Sequence, residues 1–173
     1  MTEAGFQHLP VGSASVAFSQ TRKRNMLYLD LETYNAETDI SAGTYEYART
    51  ATILIFAYAI DDEPAQLWDR TAGGPMPGDL YRALMDPTQP ITAHNAQFDR
   101  TVLAAQEWSQ FERYASPARW RCTMVKGMVH GFQGSLDQLG KILGLPSDQA
   151  KIKDGKRLIH RFCKPAHKNH KAD

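Results

Sequence analysis

The sequence predicts an α/β layered domain built on a mixed sheet. Three strand-like runs, Met26–Glu32, Ile53–Ile60 and Ala65–Asp69, follow one another at close spacing, which favours an antiparallel meander. Helix-like segments dominate after residue 78, and strands followed by helices must share one core by layering. The 173 residues, 42% hydrophobic and 23% charged, supply enough apolar material for a single domain.

Residues 1–24 mix Gly, Ser and Gln without periodicity and read as a flexible leader. The nearly continuous apolar start of Met26-Leu27-Tyr28-Leu29-Asp30-Leu31-Glu32 suggests a strand buried on both faces. Residues 33–50 are polar and read as loop. Asp61-Asp62-Glu63-Pro64 is a turn, because Pro cannot continue a ladder and Asp favours turns. Asp79–Met85 is a short helix with Leu80 and Leu84 on one face. Pro90–Ala93 is a strand, and Ala96–Gln106 a helix turning Phe98, Val102 and Leu103 inward. Residues 107–121 are aromatic-rich and irregular. Thr123–Val129 should be helical. In the helix Ser135–Leu143, Ser135 and Gln138 have capping-box spacing, Leu136, Leu139 and Leu143 share a face, and Gly144 with Pro146 supplies the stop. Ile152–Cys163 is a weaker helix or helix pair.

No apolar run approaches the ~18 residues of a membrane span, and no secretion signal is evident. Two cysteines, Cys122 and Cys163, form no disulfide framework, so a reducing cytoplasm is the expected compartment. The net charge of +1 is unevenly spread. Residues 148–173 carry eight Lys/Arg against three Asp/Glu, and residues 1–147 carry 12 against 16. A basic tail suits a polyanion, and a solvated surface helix explains it equally well.

Asp30 and Glu32 close a strand one residue apart, so period-two geometry points both carboxylates to one face. Paired acids repel unless a cation neutralises them, and hard oxygen ligands select Mg²⁺ or Mn²⁺. Strand ends often carry exposed acids for no such reason. Asp99 follows Phe98 at the start of a helix. If Phe98 anchors that helix, Asp99 lies at the rim, although an acid in a first turn is also favoured by the helix dipole.

Together these stretches have a family likeness. Leu29-Asp30-Leu31-Glu32-Thr33 resembles the first exonuclease motif of the DEDD (DnaQ-like) 3′→5′ exonuclease superfamily, and Asn95-Ala96-Gln97-Phe98-Asp99 resembles the second. Gly43-Thr44-Tyr45-Glu46-Tyr47, Ala93-His94-Asn95-Ala96, Gly134-Ser135-Leu136-Asp137 with Leu143-Gly144-Leu145, Gly155-Lys156-Arg157-Leu158-Ile159 and Phe162-Cys163-Lys164-Pro165 are similar to the proofreading domain of phage-type family A DNA polymerases. They occur in the family's order.

The resemblance implies an RNase H-like mixed sheet flanked by helices over residues 25–165, followed by a basic tail at 166–173. It implies two bound Mg²⁺ or Mn²⁺ ions at Asp30, Glu32 and Asp99, which would activate water and stabilise charge on the scissile phosphate. The expected partner is the 3′ end of single-stranded DNA, with Thr33, Tyr34, His94, Asn95, Phe98, Lys156 and Arg157 as candidate contacts, in a bacterial or phage-infected cell. His94 reads first as a hydrogen-bonded structural histidine and only second as a base. The family's third motif, Tyr-x3-Asp or His-x4-Asp, is expected after Cys163. Neither spacing occurs in Ala166–Asp173, which leaves open truncation, completion by a DNA polymerase chain or downstream segment, or loss of activity. Trimming of RNA and a non-catalytic DNA-binding or polymerase-docking role are the rival expectations. His160, Cys163, His167 and His170 could in principle ligate zinc, but they include no second cysteine pair.

Overall fold

The computed structural model describes residues 26–106 and 116–146, together with Arg157 and Cys163. The leader, the basic tail, Lys156 and most of the expected helix Ile152–Cys163 lie outside the described residues.

Five strands form one mixed sheet. They are β1 (Leu27–Tyr34), β2 (Thr52–Ile60), β3 (Gln66–Asp69), β4 (Ile91–Ala93) and β5 (Trp120–Cys122), in spatial order β3-β2-β1-β4-β5. β1, β2 and β3 pair antiparallel, while β4 runs parallel to β1 and β5 parallel to β4. The helices are α1 (Thr44–Thr50), α2 (Gly78–Met85), α3 (Ala96–Ala105), α4 (Thr123–Val129) and α5 (Leu136–Ile142). The meander and the mixed sheet follow the sequence expectation.

One face of the sheet carries the core. Leu27, Leu29 and Leu31 of β1, Phe56 and Tyr58 of β2 and Ile91 of β4 pack against Tyr47 and Ala48 of α1, Leu80 and Leu84 of α2, and Val102 and Leu103 of α3. β1 is therefore not buried on both faces as its apolar run suggests. It alternates, and Tyr28 and Asp30 are exposed on the side opposite the three leucines. Leu67 of β3, paired with Ala57, lies on that second side and is 73% exposed.

Between Glu32 and Thr33 the β1–β2 register shifts. Glu32 pairs with Ile55 but Thr33 with Ile53, so Leu54 is the extra residue of a bulge. The shift returns Ile53 to the buried side, where Phe56 and Tyr58 already point. It also bends the ladder beside Glu32.

Several expectations need correction. Residues 33–50 are not all loop, because β1 runs on to Tyr34 and α1 occupies Thr44–Thr50. The short helix is held by the inward side chains of Tyr47 and Ala48, with Asn35 beneath it. The irregular stretch 107–121 contains the start of β5. Only Leu139 of α5 is buried, whereas Leu136 and Leu143 are exposed, and the Ser135 side chain makes no capping bond. Gly144 does end that helix, at φ 68°. Asp137 is an exposed first-turn acid paired with Lys141 at 2.7 Å. No helix among the described residues is long and apolar enough to cross a membrane.

Candidate active site

The candidate site forms where β1 and β4 part. Their parallel pairing covers only Leu27↔Ile91 and Tyr28↔Thr92. On that edge Leu27 N donates to Pro90 O at 3.0 Å. Leu31, four residues on, presents its N–H to the same edge after β4 has turned away. A buried backbone donor needs a partner, and Asp99 supplies it. Leu31 N donates to Asp99 Oδ1 at 3.2 Å, a side chain standing in for a strand. The bond pins the start of α3 to the residue between Asp30 and Glu32.

The chain enters α3 through Asn95, which adopts the left-handed conformation at φ 63°, ψ 44°. Asn is among the few non-glycine residues that tolerate it. The turn lets Phe98 N donate to Asn95 O at 2.8 Å and directs Asp99 inward. Asp99 is 2% exposed, so it is a buried acid and not the rim residue its position after Phe98 suggested. Burial first, and then the negative charges of Asp30 and Glu32, push its carboxyl up to about 7.

The three acids are thus electrostatically coupled. Among the described residues, however, no set of three or more His, Cys, Asp or Glu side chains is arranged as a ready-made metal cage. A donor set of mutually repelling carboxylates, one of them holding a backbone N–H, fits a hard cation that completes its shell with substrate phosphate oxygens. Mg²⁺ is commonly held in this way, by one or two carboxylates.

Two hollows flank the acids. One, of about 440 Å³, is lined by Glu32, Thr33, Tyr47, Phe98 and Cys163 among others. The second, of about 250 Å³, lies along the exposed sheet face by Tyr28, Asp30, Thr92 and His94. In the first, the Phe98 and Tyr47 rings meet at 5.8 Å between centroids. The Tyr47 phenol, raised above its ordinary range chiefly by burial, shares a 2.9 Å hydrogen bond with Thr33 Oγ1. Asn35 ties the end of β1 to α1 through Tyr47 O at 2.8 Å and Thr50 Oγ1 at 2.9 Å. The Cys163 thiol donates to Glu32 Oε2 at 3.7 Å, and burial followed by the Glu32 charge pushes it up to about 11.

The other sequence candidates fall out as follows. Phe98 and Thr33 line the larger hollow, although the Thr33 hydroxyl is already engaged. Tyr34 is half-buried at the end of β1 and does not line that hollow. Both ring nitrogens of His94 are occupied within the protein. Nε2 donates to Gly134 O at 2.9 Å, and Nδ1 lies 3.0 Å from Thr123 Oγ1. His94 therefore fastens the motif loop to α4 and to the approach of α5. Asn95 is exposed, as is Arg157. Tyr47 and Asn35 were not singled out from the sequence, and Cys163 only as a zinc candidate. Tyr47 and Cys163 do sit inside the strings Gly43–Tyr47 and Phe162–Pro165 that carry the family likeness, which was the available signal.

This arrangement is that of an RNase H-like α/β nuclease fold, and solved structures agree. The chain superposes on one described as the apo form of the nuclease with a TM-score of 0.51 at 19% identity, covering 79% of this chain and 57% of that one. It superposes on Brucella melitensis NrnC bound to pGG with a TM-score of 0.52 at 19% identity, covering 76% and 56%. In sequence, it is 38% identical over 148 residues to the DNA polymerase of Bacillus phage SP02, spanning 83% of this chain and 22% of the polymerase. No protein-family model matches. The chain spans about a fifth of the polymerase's length, and this match and the nuclease fold together support a DnaQ-like exonuclease domain.

Proposed function

We propose that residues 25–165 form a 3′→5′ exonuclease domain that removes nucleotides from DNA 3′ ends in the context of a phage-type polymerase. The observation that carries the reading is the Asp99–Leu31 bond, which brings a third acid up to Asp30 and Glu32 at the mouth of two hollows. The scissile phosphate would lie over these acids. The terminal nucleoside would enter the larger hollow against Phe98 and Tyr47, and the rest of the strand would follow the sheet-face groove past Tyr28.

Divalent ions held here would supply charge stabilisation at the phosphate and at the leaving oxygen. The chain's own work is positional. Asp30 and Glu32 present oxygens from one strand, and Asp99 is held in place by Leu31. The buried wall of Phe98 and Tyr47 orients the departing nucleoside. Water adds at phosphorus, the bond to the 3′-oxygen breaks, and a nucleoside 5′-monophosphate leaves.

The reading is tested with 5′-labelled single-stranded DNA and Mn²⁺. Stepwise shortening with release of mononucleotides, lost in Asp30→Ala, supports it. Salt-sensitive binding without cleavage would favour a non-catalytic module. A second reading, trimming of short RNA, draws on the neighbour bound to pGG. A matched RNA oligomer in the same assay separates the two.

A further inference from the structure

We propose that Cys163 is a positioning residue for Glu32, its thiol holding the carboxylate at the boundary between the acids and the larger hollow. The inference rests on the exonuclease reading above and deepens it. Cys163 is 131 residues from Glu32 in sequence, yet its Sγ lies 3.7 Å from Glu32 Oε2, and both side chains line the same hollow of about 440 Å³. The direction of the bond follows from chemistry. A carboxylate accepts only, so the thiol donates.

Asp99 is already placed by its burial and by its bond to the backbone. Glu32 has a longer side chain, is half-buried, and stands beside the bulge where the ladder shifts. Its carboxylate has more rotamers to lose when it takes up one position. A donor fixed on the far wall of the hollow selects among them, as partners in an outer shell do for ligand carboxylates. The same contact puts the Cys163 side chain on the lining of the larger hollow, beside Glu32.

Two measurements on the intact chain test this. The first needs no metal. The Cys163 S–H stretch, assigned by its loss in Cys163→Ala, is read by infrared difference spectroscopy. It should shift towards the free-thiol position in Glu32→Ala, which removes the acceptor, and stay unmoved in Asp137→Asn, a surface control. The second is Mn²⁺ affinity in the presence of a short DNA oligomer, read from free Mn²⁺ by electron paramagnetic resonance. Cys163→Ala should weaken binding about tenfold, the lower end of the range for losing a carboxylate's supporting partner. Cys163→Ser, which keeps a donor, should recover most of it.

An S–H band indifferent to Glu32→Ala overturns the proposal whatever the metal does. A band that shifts while Cys163→Ala binds Mn²⁺ as tightly as the unaltered chain overturns the positioning role alone. A band that shifts in a chain that binds no Mn²⁺ at all overturns the metal reading itself, and the role built on it.

Discussion

Asp99 Oδ1 accepts a 3.2 Å hydrogen bond from Leu31 N, the backbone group between Asp30 and Glu32. One contact therefore joins a scaffold role to the chemical role proposed for Asp99. It replaces the strand partner that β1 loses when β4 diverges, and it fixes a buried acid beside two others.

The two roles separate by substitution. Asp99→Asn keeps an acceptor for Leu31 N and removes the charge. Asp99→Ala leaves that N–H unpaired, at a cost of about 1–3 kcal/mol. In EDTA, Asp99→Asn should be at least as stable as the unaltered chain by denaturant unfolding, and Asp99→Ala clearly less so. Both should lose nuclease activity. An alanine variant as stable as the asparagine one would mean that the hydrogen bond carries no weight.

The raised Asp99 carboxyl sets a pH dependence of stability. Its folded value of about 7 stands against an ordinary 3.8. Between those values the folded chain holds a proton that the unfolded chain has released. Its contribution to stability is therefore full below about pH 4 and declines as pH rises through about 7. Because the acids interact, they titrate as a set. Thermal unfolding in EDTA should show the stability of Asp99→Asn relative to the unaltered chain increasing from pH 5 to pH 8. Mn²⁺ should reverse the trend, since binding favours the ionised acid. A difference flat with pH would show that burial and the neighbouring acids do not raise the Asp99 carboxyl.

Much of this fold is legible in the sequence, because the apolar runs of β1 and β2 and the turn at Asp61–Pro64 are strong local signals. α1 is not legible, since seven residues with only Tyr47 and Ala48 turned inward give no helical period. β5 is three residues long and has no pattern at all. The two-sided reading of β1 failed at Tyr28, which counts as apolar in a run but is 46% exposed on the second face. The acids of β1 could be read from period two, whereas the burial of Asp99 depends on where β1 and β4 separate. That is a property of the assembled sheet, which no local window contains.

The basic segment predicts salt-sensitive binding. Each phosphate contact to a single strand should add roughly −0.7 to the log–log salt slope. Reversing charge at Lys156 and Arg157 should make that slope shallower in fluorescence-anisotropy titrations from 50 to 200 mM salt. Equal affinity across that range would count against nucleic acid as the partner.

The central claim is that Asp30, Glu32 and Asp99 share a divalent ion at the end of a nucleic acid strand. Its most direct test is the anomalous diffraction of crystals grown with Mn²⁺ and a short DNA oligomer. The account predicts a Mn²⁺ peak at ~2.1 Å from oxygens of Asp30 and at least one of the other two acids, with a phosphate oxygen completing the shell. Three carboxylates standing more than ~8 Å apart with no peak between them, a separation that such bond lengths cannot bridge, would contradict it.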